Sequence, residues 1–402
     1  MLCKPLSLGV VLAAAGSALA GFNPNSQSNI AVYWGQNSAN QASTQSRLST
    51  YCSNTPFNII PLGFLNVIKN PTTVNFANAG DNCTAFAGST LLSCPQLEAD
   101  IKTCQSAGKT ILLSIGGATY TEGGFSSASE AQQWASTIWA MFGPQQSGST
   151  VKRPFGSAVV DGFDFDFESP TQNMAPFANR LRSLMDADRS KKFYLSAAPQ
   201  CVYPDAADRD MLIGADATYF DFLLIQYYNN GCGASSYIPG AATQWNFNFD
   251  VWNNWATQTS KNPNVKLLLG IPANTGAGAG YVSGSQLQAV ISYVKQFSNF
   301  GGVMLWDMSQ LYRNPGFINE VVADLGGTAP PPPPPSSTLS TTTRPTTTTT
   351  TSSRTTGPTP TPTGGPLVPQ WGQCGGQGWT GPTVCQPPYT CVAGSTWWSD
   401  CR

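Results

Sequence analysis

Histidine is missing altogether from this 402-residue chain. That absence excludes Ser-His-Asp and Cys-His nucleophilic catalysis, and any histidine-ligated zinc. Asp, Glu, Tyr and Lys remain as the main carriers of acid–base chemistry. Charge is scarce as well: 10% of residues are charged and the net charge is −1. A broad electrostatic partner, such as nucleic acid or an anionic membrane surface, is therefore excluded. After the first twenty residues, no apolar run approaches the ~20 residues of a membrane span. Those first residues read as a secretory leader, with Lys4 at its start, apolar residues over 6–15 and a small-residue cleavage site at Ala18-Leu19-Ala20. The mature chain is expected to begin at Gly21, to be released outside the cell and to be monomeric. Free thiols are also expected to be absent. Of eleven cysteines, Cys3 leaves with the leader. The even remainder, in an oxidising compartment, predicts five disulfides and no thiol nucleophile.

Composition divides what is left. Residues 21–327 have the apolar content of a globular domain. Residues 328–369 hold a proline run at 330–335 and then a Ser/Thr/Pro tract. Such a segment cannot bury enough apolar surface to fold, and is expected to be an extended tether carrying O-linked sugar. Residues 370–402 form a compact cysteine-rich tail. In the globular part, β-type runs at 30–34, 59–64, 110–115, 159–167, 193–197, 222–226, 266–270 and 302–306 alternate with helical patterns. These helical patterns include 96–106, 129–142, 174–185 and 286–297. The alternation predicts an α/β fold, a (β/α)8 barrel, with a small disulfide-rich β module joined by the linker. A doubly wound open sheet is the rival. It is disfavoured because no Gly-rich phosphate loop follows the first strand.

The most informative stretch is Asp161-Gly162-Phe163-Asp164-Phe165-Asp166-Phe167-Glu168. On a strand, alternate residues share a face, so Asp164, Asp166 and Glu168 line one side and three phenylalanines cover the other. Neighbouring carboxyls then sit ~6.6 Å apart at the backbone, close enough for their tips to meet. Three cannot all ionise comfortably, and at least one is expected to hold a proton above its normal pKa. A protonated carboxyl beside ionised ones is what glycosidic bond cleavage requires. Asp161 is out of phase and is expected to support the start of the strand. Barrel active sites lie at the C-terminal ends of the strands. Glu168 ends the fourth strand. Tyr33, Trp34 and Gln36 end the first, Gln226, Tyr228 and Asn229 the sixth, and Trp306 and Asp307 the eighth.

This acidic run matches the Asp-x-x-Asp-x-Asp-x-Glu signature of family 18 glycoside hydrolases, and Ser114-Ile115-Gly116-Gly117 matches that family's second signature. The segments at 31–37, 197–201, 226–230 and 303–306 resemble its plant-type (class III, hevamine-like) chitinase branch. The resemblance implies an endo-acting chitinase that uses no cofactor or metal, with chitin and chitooligosaccharides as substrates. It implies substrate-assisted catalysis with retention. Glu168 is then the acid, Asp166 orients the substrate's acetamido group, Asp164 shares a proton with Asp166, and Tyr228 bonds the acetamido carbonyl. Trp306 floors the sugar, and Tyr33, Gln36, Gln226 and Asn229 line the groove. It also implies barrel disulfides Cys52–Cys104, Cys83–Cys94 and Cys201–Cys232. The tail resembles the fungal-type cellulose-binding module of family 1. That likeness implies Cys374–Cys391 and Cys385–Cys401, and a strip of Trp371, Gln373, Trp397 and Trp398 that anchors the enzyme to insoluble chitin or cellulose. A four-cysteine zinc site is the alternative for the tail. An endo-β-N-acetylglucosaminidase acting on N-glycans, or a barrel that binds sugar without cleaving it, is the alternative for the whole. About thirty residues separate the seventh and eighth strands, too few for a domain that would wall the cleft, so an open groove is expected.

Overall fold

The computed structural model describes residues 21–41, 43–69, 71–328, 367–368, 373–375, 382–393 and 399–401. The chain forms two compact units. In the larger one the parallel strands are β1 (Asn29–Val32), β2 (Ile59–Val67), β3 (Thr110–Gly116), β4 (Gly162–Asp166), β5 (Tyr194–Ala197), β6 (Phe222–Gln226), β7 (Lys266–Pro272) and β8 (Phe300–Trp306). Each pairs with its sequence neighbours. β1 pairs with β8 on one side and meets β2 on the other, at Ala31 opposite Ile59, so the sheet closes. The helices are α1 (Pro95–Ser106), α2 (Ala128–Phe142), α3 (Met174–Ala187), α4 (Arg209–Leu212), α5 (Phe249–Gln258), α6 (Gly284–Val294), α7 (Met308–Leu311) and α8 (Phe317–Asp324). This is the (β/α)8 barrel that the alternation predicts. Between β7 and β8 the chain supplies only a loop and α6.

Local chemistry sets these boundaries. Ser127 caps α2 by accepting the Glu130 N–H, and Glu130 reaches back to accept the Ser126 N–H, so two N-terminal donors are satisfied by a reciprocal pair. The fourth strand is shorter than its apolar run suggests. The Val160 N–H donates to Phe142 at the end of α2 rather than to a neighbouring strand, and pairing begins only at Gly162. Gly162 sits at φ 151°, where a Cβ would meet the Tyr194 carbonyl at 1.7 Å, so the close approach of β4 and β5 demands glycine. Asp161, just before it, accepts the Ile111 N–H and pairs with Lys191 at 2.6 Å. It thereby braces the start of the strand.

The period-2 pattern of β4 separates two apolar layers. Phe163, Phe165 and Phe167 point outward and are fully buried. Phe163 meets Trp139 of α2, Phe165 meets Phe177 of α3, and Phe167 meets Tyr120. The barrel interior is filled by Ala31, Ile59, Leu112, Phe222, Leu224, Leu268 and Met304. Its floor is Phe22, whose ring packs on Phe222 and Tyr194 and whose N–H donates to the Thr110 hydroxyl. Disulfides join Cys52 to Cys104, Cys83 to Cys94 and Cys201 to Cys232.

The small unit contains β9 (Gln373–Gly375), β10 (Cys391–Ala393) and β11 (Ser399–Cys401), with β11 central and antiparallel to both. Its buried centre is Val368, Cys374, Cys385 and Cys401, small enough that covalent staples replace a core. Cys374–Cys391 and Cys385–Cys401 are those staples. The sulfurs that cluster there are disulfide sulfurs, so they are not thiolate ligands for zinc. Trp371, Trp397 and Trp398 lie outside the described residues, as do the leader, nearly all of the linker and the side chain of Gln373.

Candidate active site

The inward face of β4 carries Asp164 and Asp166, and both are buried. Asp164 lies in register with Ser114 on β3 and Ser196 on β5. Ser114 Oγ and Tyr33 Oη each donate to Asp164 Oδ2 at 2.6 Å, and Ser196 Oγ donates to Oδ1 at 2.6 Å. Burial raises the pKa of Asp164, and the three hydroxyls oppose that rise. Asp166 accepts Gln226 Nε2 at 2.7 Å, and the same nitrogen donates to the Ala198 carbonyl at 2.9 Å. Burial pushes Asp166 well above the carboxylate range, with the charges of Glu168, Asp164 and Asp205 adding to it in that order. Glu168 thus acts on Asp166 more strongly than Asp164 does, and the Asp164 oxygens are taken up by the three hydroxyls.

Glu168 lies two residues beyond the last residue of β4 and is exposed at the mouth of the barrel. Protein still walls its inner side. That partial loss of water, followed by the charge of Asp205, raises its pKa. Among the described residues, no Lys or Arg forms an ion pair with Asp164, Asp166 or Glu168. Gly116, at φ 119° on the end of β3, holds this arrangement tight, because a Cβ there would meet the Asp166 carbonyl at 2.4 Å.

Phenols and an indole complete the mouth. Tyr228, just past β6, is buried, and burial followed by the charges of Asp166 and Glu168 pushes its pKa well up, so it stays a proton donor. Tyr33 is held protonated by burial and by Asp164. Trp306, half-buried at the end of β8, stacks on Phe64 at 6.0 Å and meets Tyr33 at 5.4 Å. Two of the expected groove residues have backbone duties. Gln36 Nε2 donates to the Gly63 and Asn75 carbonyls. Asn229, exposed and at φ 59°, accepts the Ala279 N–H with its side chain, tying the end of β6 to the loop after β7.

Three participants are not among the residues expected from sequence. Ser196 could have been found by setting β4 and β5 in register. Asp205 and Asp208 had no such signal, since they lie on an irregular loop after β5. Asp205 Oδ2 accepts the Gln200 N–H, and Oδ1 accepts those of Ala207 and Asp208. Asp208 is fully buried, and neither of its oxygens has a hydrogen-bond partner. Burial, followed by the charges of Asp205, Asp166 and Asp164, pushes its pKa well up, in the direction of the neutral form. Chemically, the site offers a carboxyl open to the mouth whose pKa is raised, a buried acidic pair behind it, a phenol donor and an apolar ring.

Both parts of the chain resemble known proteins. Residues 29–284 match the model for glycosyl hydrolases family 18, and residues 370–398 match the fungal cellulose binding domain. The chain is 60% identical to Endochitinase 33 of Trichoderma harzianum over 79% of its own length and 97% of that protein. It is 48% identical to a Class III chitinase of Arthroderma benhamiae, covering 79% of this chain and 91% of that one. Among solved structures, the ICChI chitinase of Ipomoea carnea is 28% identical with a TM-score of 0.58, covering 74% of this chain and 99% of that one. The xylanase and alpha-amylase inhibitor protein XAIP-II of Scadoxus multiflorus is 31% identical with a TM-score of 0.58, covering 73% and 98%.

Proposed function

The chain belongs to glycosyl hydrolases family 18, and from that premise we propose that it is a secreted endochitinase that cuts β-1,4-linked N-acetylglucosamine chains with retention of configuration. One observation carries the reading: a carboxyl at position 168 that stands open at the mouth while its surroundings favour the protonated form. In this scheme Glu168 gives its proton to the glycosidic oxygen, and the C–O bond breaks. The carbonyl oxygen of the substrate's own acetamido group attacks the anomeric carbon from the opposite face, giving an oxazolinium ion. Glu168, now ionised, removes a proton from the water that opens this ring, and the original stereochemistry returns. Asp166 accepts the acetamido N–H and balances the positive charge, Tyr228 donates to the acetamido oxygen, and Trp306 forms the apolar floor. Asp164, steadied by three hydroxyls, supports Asp166 from below.

The domain scheme follows from the same reading. Residues 1–20 direct secretion, 21–327 catalyse, 328–369 tether, and 370–402 hold the enzyme on insoluble chitin or cellulose. The enzyme works as a monomer outside the cell. Its open cleft, with nothing but α6 and a loop between β7 and β8, suits attack within long chains.

The Scadoxus barrel, described as an inhibitor protein, keeps a non-catalytic reading in play. The test is hydrolysis of chitooligosaccharides with the product anomer followed by proton NMR. The β anomer is expected first, and Glu168→Gln is expected to lose at least about 10²-fold in kcat while still binding oligosaccharide. An initial α anomer would sink the mechanism. Equal activity of wild type and variant would sink the assignment of Glu168, and no turnover by either would favour the binding-only barrel.

A further inference from the structure

The loop from β6 to α5 is built to be rigid. Phe247 is fully buried near its far end, with ring contacts to Tyr227 at 5.0 Å and Tyr237 at 5.6 Å. Tyr237 in turn meets Tyr293 of α6 at 5.1 Å. Asn248 Nδ2 and Trp252 Nε1 both donate to the Cys201 carbonyl, at 2.8 and 2.9 Å. Cys201 is itself bonded to Cys232 in the same loop. Between these fixed points the tip is clasped. The Ile238 N–H donates to Gln244 Oε1 at 2.9 Å, and Gln244 Nε2 donates back to the Ile238 carbonyl at 2.7 Å.

On this braced tip two apolar side chains face water: Trp245 is 85% exposed and Ile238 57% exposed. Trp34, Trp252 and Trp255 are all buried, so an indole left outside on a pinned loop serves no core. The loop starts from Tyr228 and Asn229, at the strand end that forms the site, and so belongs to the mouth face. No charged residue occurs between Asn229 and Asn248; its polar side chains are neutral Ser, Asn, Gln and Thr, set among Gly, Ala, Ile, Pro, Cys and aromatic residues. A neutral, hydroxyl-rich polymer suits such a surface, and the C–H face of a pyranose suits an indole.

We propose that Trp245, flanked by Ile238, is an outlying sugar-stacking platform that binds N-acetylglucosamine units of the same chain whose linkage is cut at Glu168. This rests on the chitinase reading above. The platform makes affinity grow with chain length beyond the units held at the mouth itself.

The test is kcat/KM of the full chain on chitooligosaccharides from trimer to octamer, for wild type, Trp245→Ala and Trp245→Phe. The ratio of octamer to trimer kcat/KM is expected to fall about fivefold in Trp245→Ala, with the loss setting in at one chain length, and to be largely restored in Trp245→Phe. A uniform loss at every length, or none, would overturn the platform and leave the chitinase reading intact. Wild type that cleaves no oligomer would remove that reading and the platform with it. A change in sedimentation behaviour in Trp245→Ala without a length-dependent loss would assign the patch to self-association instead, and the proposal would fall.

Discussion

Asp205 is the residue on which the acid's working range turns. Burial raises its own pKa while three backbone N–H groups oppose that rise, and its charge adds to burial in raising Glu168. As the proposed acid, Glu168 must be protonated to act, so activity is expected to fall as pH climbs through its pKa. Removing the charge lowers that pKa. Asp205→Asn is therefore expected to move the basic limb of the kcat/KM profile to lower pH, while the Gln200 N–H still finds an amide oxygen. An unmoved basic limb would contradict the assignment. Ser196→Ala tests the support behind. It withdraws one of the three hydroxyls on buried Asp164, and a hydrogen bond to a charged group contributes about 1.5–3 kcal/mol. Urea unfolding should show a loss of that order. These residues also mark what sequence can and cannot disclose. The Asp164, Asp166, Glu168 row was legible because strand parity is a local property. Ser196 needed the register of a neighbouring strand. Asp205 and Asp208 reach the site through a loop without periodicity, and nothing short of its folded path brings them there.

At the scale of elements, the eight strands were legible from the alternation of apolar runs with helical patterns, and their ends were less so. The fourth strand starts later than its valines suggest because Val160 completes the end of α2. Apolar character reports burial, not pairing, and the two diverge wherever a loop is buried. The Cys201–Cys232 link shows elements cooperating. It joins the loop that carries Gln200 and Asp205 to the loop that follows Tyr228, closing 31 residues of sequence. Replacing both cysteines by serine is expected to cost about 3–4 kcal/mol by denaturant titration. A fall in kcat larger than any change in KM is also expected, since both loops flank the acid. Stability that fell while kcat held would confine the bridge to a structural role.

For the whole molecule, the family 18 barrel and the segment that matches a cellulose binding domain lie in separate compact units, each with its own disulfides. Their contributions should therefore separate cleanly. Deleting residues 366–402 is expected to reduce adsorption to crystalline chitin and slow its degradation several-fold, through the lost gain in local concentration. Rates on soluble oligomers should be little altered. An equal loss on both would assign the tail to folding of the barrel. The opposite end of the catalytic unit has its own consequence. Phe22 closes the barrel underneath, among the first residues of β3, β5 and β6. Anything fused ahead of Gly21 would thus leave by the side away from the carboxylates. Coupling the enzyme to a bead or electrode through that end would turn its reactive opening toward the solution.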